Sequence, residues 1–162
     1  MRIALIVIFL AASAFAQEEP PVPAACGPQD TNFKVKLDES KHTIAQPEPG
    51  KARVYFIQDV GRVSCLGGCF KIKIGVNGTW MGANQHNSYF SVLLEPGEHH
   101  MCADAGYMIA LAHFVAEAGK VYYFRIRAFD TDQRIFDFDL IDSDQTKYLI
   151  ASYPLSVSRP NR

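Results

Sequence analysis

Almost no net charge separates the 16 lysines and arginines of this sequence from its 17 aspartates and glutamates. A balance of −1 supplies no basic field of the kind that draws a protein to phosphate backbones, which argues against nucleic acid as a partner. Catalytic signatures are missing too. There is no Gly-x-Ser-x-Gly, no His-Glu-x-x-His and no glycine loop able to cradle a phosphate, so no enzyme and no cofactor is expected. Beyond residue 16 no apolar run approaches the roughly 20 residues that a membrane-spanning helix requires. Tryptophan occurs once, at position 80. What is present is a globular composition: 48% hydrophobic and 20% charged residues over 162 positions, room for one domain with a buried core.

The N-terminus has one positive charge at Arg2, an apolar run from Ile3 to about Ala12, and Ala14-Phe15-Ala16 as a small-x-small cleavage site. That is the layout of a secretory signal peptide over residues 1–16, with a mature chain starting at Gln17. The first cysteine, Cys26, stands behind a proline-rich acidic stretch and not directly after the apolar run, so lipid attachment is not expected. The chain therefore reads as secreted or periplasmic, and not membrane-spanning.

Residues 17–50 read as an arm with one short strand, Phe33 to Leu37, where apolar and basic residues alternate. Residues 51–142 carry strands at regular spacing, each bounded by turn residues, the signature of an antiparallel sandwich or barrel. Val54-Tyr55-Phe56-Ile57 is a continuous apolar run and predicts a strand covered on both faces. Asn77-Gly78 predicts a type I′ hairpin, because both central residues must take positive φ. Simple two-residue register would pair Val76 with Thr79, Ile74 with Met81 and Ile72 with Ala83, placing Lys73, Gly75, Trp80 and Gly82 on the other face. Further strands are read at Ser88 to Glu95, His99 to Ala103, Ala112 to Ala116, Val121 to Arg127 and Phe136 to Leu140. Asp142-Ser143-Asp144 can cap a short helix reaching about Ala151, and residues 143–162 form this helix and a C-terminal extension with room for a strand at Leu155 to Val157. The expected fold is an all-β antiparallel sandwich of about seven to eight strands with a short C-terminal helix.

Laid out in this order, several segments resemble a family of bacterial secreted and lipoprotein domains known only as a domain of unknown function. The matching residues are Ala52-Arg53-Val54-Tyr55-Phe56, Ile74-Gly75-Val76-Asn77-Gly78, Asn87-Ser88-Tyr89-Phe90, Glu95-Pro96-Gly97-Glu98-His99, Glu117-Ala118-Gly119-Lys120-Val121-Tyr122-Tyr123 and Phe138-Asp139-Leu140. The resemblance implies a sandwich like the transthyretin or peptidase-regulatory type, outside the cytoplasm, and it implies no activity.

Four cysteines in an exported chain point to disulfides, with three pairings open. Cys65 and Cys69 flank a glycine pair that can turn tightly, which favours Cys65 with Cys69 and Cys26 with Cys102, the second bridge pinning the arm to the sheet. On a strand His99 shares its face with Met101 and Ala103, and His100 shares the other with Cys102 and Asp104. If Met101 enters the core, His99 leans inward and His100 lies on the surface. A zinc or copper site built from His100, Cys102 and His113 or His86 would leave a cysteine without its partner. Asp130, Asp132, Asp137, Asp139, Asp142 and Asp144 read as a solvated acidic edge, because the glycine and closing glutamate of a calcium loop are missing. Trp80, with Tyr123 and the polar loop Asn84-Gln85-His86-Asn87, is the candidate ligand-binding platform for a sugar or peptide.

The function expected from these readings is a non-enzymatic exported binding or accessory module of the bacterial cell envelope, its partner an unknown protein or glycan. The alternative is a metal-handling or hydrolytic extracytoplasmic protein using the histidine and aspartate clusters.

Overall fold

The computed structural model describes residues 23–40, 43–60, 71–130 and 134–161. The expected signal peptide and the Cys65–Cys69 pair lie outside these residues. Ten strands and one helix follow in chain order: β1 (Phe33–Asp38), β2 (Ala52–Asp59), β3 (Lys71–Val76), β4 (Thr79–Gln85), β5 (Tyr89–Leu94), β6 (Gly97–Asp104), β7 (Ile109–Ala116), β8 (Val121–Asp130), β9 (Arg134–Leu140), α1 (Ser143–Ser152) and β10 (Leu155–Pro160). They build two sheets, one of six strands in the order β1-β10-β5-β2-β8-β9 and one of four in the order β4-β3-β6-β7. The sandwich is as expected, but the strand count is about ten and not seven to eight. The additional strands come from the segments at the two ends of the chain, since β1 and β10 pair with each other and extend the larger sheet.

The larger sheet is also mixed, where a purely antiparallel one was expected. β2 runs antiparallel to β5 but parallel to β8, from Arg53 opposite Val121 to Asp59 opposite Arg127. Parallel pairs belong where both faces are covered, and β2 meets that condition. Val54 and Phe56 point between the sheets, onto Ile72, Ile74, Val76, Met101, Phe124 and Ile126. Tyr55 and Ile57 point the other way, onto Tyr89 and the helix residues Leu149 and Ile150. All four β2 side chains are buried. The Val-Tyr-Phe-Ile run is thus the strand covered on both faces that its sequence predicts.

Helix α1 starts where its cap does. The Asp142 carboxylate accepts bonds from the backbone amides of Asp144 and Gln145, both at 2.8 Å, an N-cap worth about 1 kcal/mol. The helix then lays Leu149 and Ile150 over the outer face of the larger sheet.

The hairpin turn forms as predicted, with Asn77 at φ 50° and Gly78 at φ 80°. Its register does not. After Gly75 opposite Trp80, the pairing shifts to Ile74 opposite Gly82 and Ile72 opposite Asn84, so Met81 is an extra residue in a bulge. The physical reason lies in what β4 must meet. With the bulge, the inward positions become Gly82, whose missing side chain leaves space taken by the Phe90 ring and Ser158, and Asn84, whose amide donates to the Phe56 carbonyl at 3.1 Å. The backbone of Ala83 is then free to bond the hydroxyls of Ser156 and Ser158 on β10. In the uncorrected register Met81 would bring a long side chain to where the Phe90 ring and Ser158 lie, and Ala83 would bring no side-chain amide to bond Phe56.

Candidate binding surface

On the outer face of the four-stranded sheet, residues 23–32 cross β4, β3 and β6 as a strap. Cys26 is bonded to Cys102 of β6, with Cα atoms 5.1 Å apart, and both residues are buried. The expected bridge therefore exists and pins the arm to the sheet. The amide of Gly78 donates to the Ala25 carbonyl at 3.1 Å. Two glycines let the strap lie this close. A Cβ at Gly75 would come within 3.0 Å of the Ala25 carbonyl oxygen, and one at Gly27 would overlap the Trp80 indole.

Trp80 does cover Gly75, as its register position predicts, but the strap covers Trp80 in turn. The indole packs on Gly27, and its Nε1 donates to the Pro28 carbonyl at 2.8 Å. Lys73 sits 4.5 Å from the ring centroid, anchored by a 2.9 Å ion pair to Asp104 and a 3.3 Å bond to the Thr31 carbonyl. Tyr123 is on the far side of the molecule. It packs on Tyr55 at 5.6 Å between ring centroids, in the cluster beneath α1. A whole sandwich therefore separates the two aromatic members of the expected platform.

The polar loop members have structural partners of their own. Asn84 is fully buried on Phe56 and Ser88, and the Asn87 side chain accepts from the Val60 amide at 3.0 Å. Gln85 ends β4, its amide donating to the Ser88 hydroxyl at 3.3 Å, and His86 takes a positive φ of 58° that makes the turn into β5. The loop ties β4 to β5 and β2. It does not converge with Trp80 on a common site.

His99 leans inward as expected, bonded through Nε2 to the Glu95 carbonyl and through Nδ1 to the Asn77 side chain. His100 is on the surface beside His113, with ring centroids 6.3 Å apart. Cys102 is committed to its bridge, so a metal set that needs its thiolate loses that ligand. Asp139 lies between Arg125 and Arg127, which donate to it at 3.1 and 2.8 Å, while Asp142 caps α1 and Asp144 pairs with Lys147. Asp132 lies outside the described residues, and the side chain of Asp130 does as well. Among the described residues no three His, Cys, Asp or Glu side chains gather as metal ligands would.

A tyrosine at the C-terminal end of α1 carries a pH dependence. The Tyr153 hydroxyl donates to Asp59 at 2.8 Å. Desolvation first, then that bond and the Asp59 charge, push its ionisation well above the ordinary phenol value; burial pushes Tyr89 and Tyr123 the same way. In the unfolded chain Tyr153 ionises near pH 10. Above that pH the unfolded state binds fewer protons than the folded state, so stability, complete below about pH 10, falls as pH rises further. Tyr153→Phe is expected to make the alkaline fall in the urea midpoint shallower between about pH 9 and pH 12. A fall of unchanged steepness would contradict the assignment.

Among the described residues, an apolar surface is exposed on β7. The strand ends the smaller sheet, and among the described residues no strand pairs with its outer edge. Ala110 and Ala116 are buried and Phe114 packs against the core, while Ile109, Leu111 and Val115 are 43%, 54% and 63% exposed, with His113 among them. Tyr107 extends the stripe. The strand expected from sequence covers only Ala112 to Ala116 and leaves most of the stripe out. Apolar residues stand on both faces, Phe114 inward and Ile109, Leu111 and Val115 outward, so alternation does not mark the wet side.

The other edges are protected. β1 carries Lys34 and Lys36, β9 carries Asp137 and Asp139, and β4 is closed by β10. Such charges and covers keep edges from pairing with other chains. β7 contains no Lys, Arg, Asp or Glu, and among the described residues no strand is hydrogen-bonded to its outer edge.

Among the described residues, fold and surface together define a two-sheet β-sandwich whose edge strand β7 is uncharged and unpaired on its outer side. The chain belongs to the family described as Protein of unknown function (DUF2846), which it matches over residues 48–137, from just before β2 into β9. Strap, helix and β10 lie outside the matched span. No curated protein and no solved structure matches the chain.

Proposed function

We propose that this chain is a non-enzymatic, exported binding or accessory module of the bacterial cell envelope, of transthyretin-like build, that engages an envelope protein along β7. The observation that carries this reading is the β7 edge: an exposed apolar stripe on a strand whose outer edge no described strand pairs with, while β1 and β9 carry charged residues and β4 is covered by β10. Strand addition at an open sheet edge is a recurring recognition mode, with backbone bonds giving affinity and alternate side chains giving specificity. The Cys26–Cys102 bridge supports an oxidising compartment, periplasmic or extracellular. Among the described residues no helix is long and apolar enough to cross a membrane. A protein partner is favoured over a glycan because the one indole is covered by the strap and its N–H is already bonded.

Co-sedimentation of the oxidised chain from Gln17 with isolated cell envelopes tests this. Retention is expected that survives glycan digestion, is abolished by protease treatment of the envelopes, and is lost in Leu111→Lys. Equal retention of wild type and variant, or none of either, would overturn it.

A further inference from the structure

Two exposed histidines stand directly opposite each other on the outer face of the smaller sheet, His100 of β6 and His113 of β7. We infer that this pair is a binding site for an imidazole-seeking divalent transition metal, copper(II) above all. The backbone of the sheet brings the two side chains together. The His100 amide donates to the Asn77 side chain and its carbonyl accepts from the Asn77 amide, both at 2.9 Å, so its main-chain groups point toward the β3 side and away from β7. His100 and His113 are therefore a non-hydrogen-bonded pair, the kind in which side chains of an antiparallel ladder approach most closely.

Their nitrogens are available as ligands. Both ring nitrogens of His99 are bonded, whereas among the described residues no hydrogen bond holds a ring nitrogen of His100 or His113. The two rings lie 6.3 Å apart between centroids. Bonds of about 2 Å from one nitrogen of each ring to a shared ion would set the centroids roughly 4.5–5 Å apart. The rings reach that spacing by turning about their own side-chain bonds, which the exposure of both permits. Glu98, the next outward residue of β6, places a carboxylate oxygen 3.7 Å from His100 Nε2 and adds negative charge beside the cation. Because Cys102 stays in its bridge, the pair draws on no thiolate. No third protein ligand gathers among the described residues, so water completes the shell. A structural zinc site closes with four protein ligands; two imidazoles with open positions hold an exchangeable ion. Copper(II) binds nitrogen donors most tightly of the divalent series, and its tetragonal geometry accepts two nitrogens with water in the remaining places.

Copper(II) titration of the oxidised chain, carrying no purification tag, is the test, with pulsed electron paramagnetic resonance to count the imidazoles bound and circular dichroism to verify folding. Wild type is expected to show a site with two equatorial imidazoles. His100→Ala and His113→Ala should each reduce the count to one and raise the dissociation constant about tenfold or more. His86→Asn, in a different turn and with a residue that tolerates positive φ, should leave both unchanged. A wild type with one imidazole or none, a dissociation constant that neither histidine variant moves, or equal loss in His86→Asn would overturn the inference. The site is independent of what β7 engages: envelope retention is read by Leu111→Lys, and copper binding by His100→Ala on the neighbouring strand.

Discussion

Replacing Cys26 and Cys102 together by serine is expected to lower stability by about 4 kcal/mol and to shift Trp80 emission to the red. The bridge spans 76 positions of sequence, and chain-entropy estimates for a loop of that size fall near 4.5 kcal/mol. Strain and residual denatured structure usually reduce such values. The spectral change follows from position. Without its covalent anchor the strap keeps only a few bonds, among them Gly78 to Ala25 and Trp80 to Pro28. Bonds of that kind contribute roughly 1 kcal/mol each, against the backbone entropy of about ten residues at roughly 1–2 kcal/mol apiece. The strap should therefore leave the sheet while the sandwich stays folded, wetting the indole. Urea titration followed by the single tryptophan reads both effects. An unchanged midpoint with unchanged emission would show that the strap holds without its bridge.

The second large effect is expected at the strand packed from both sides. Phe56→Ala should cost about 3–5 kcal/mol, the range for removing a buried aromatic side chain. Phe56 is fully buried and meets Phe90, Phe124 and Phe138 at ring-centroid distances of 5.6, 6.2 and 6.4 Å, so one truncation removes contacts to three strands at once. Its carbonyl also accepts the Asn84 amide, tying the two sheets together. Circular dichroism under urea reads the loss. A cost below about 1 kcal/mol would mean that the surrounding rings close the cavity, and that β2 is less central than its burial indicates.

What was legible in the sequence was whatever local pattern determines. Tyr122, Phe124 and Ile126 alternate with polar neighbours because β8 has two different faces, and the uninterrupted run in β2 shows that its faces are both dry. Asn77-Gly78 and Asp142 set their turn and cap through their own backbone chemistry. Met101 in the core brought His99 inward with it. What was hidden depends on neighbours far along the chain. The Met81 bulge answers to Phe90 and to the serines of β10. The parallel pairing of β2 with β8 answers to the helix that covers it. Trp80 has the composition of a binding residue, and only the strap, some fifty positions earlier, turns it into packing. Edge position has no local signature either: Ile109, Leu111 and Val115 would read the same in a central strand covered by a second layer.

The central claim is that the Trp80 face is closed and the β7 edge is where this protein is engaged. Hydrogen exchange on the oxidised chain, alone and bound to cell envelopes, tests it most directly because backbone amides report strand addition residue by residue. The account predicts that binding slows exchange along residues 109–116 and leaves the strap and β4 unchanged. Protection that instead appears on the strap and around Trp80, with β7 exchanging as before, would contradict it.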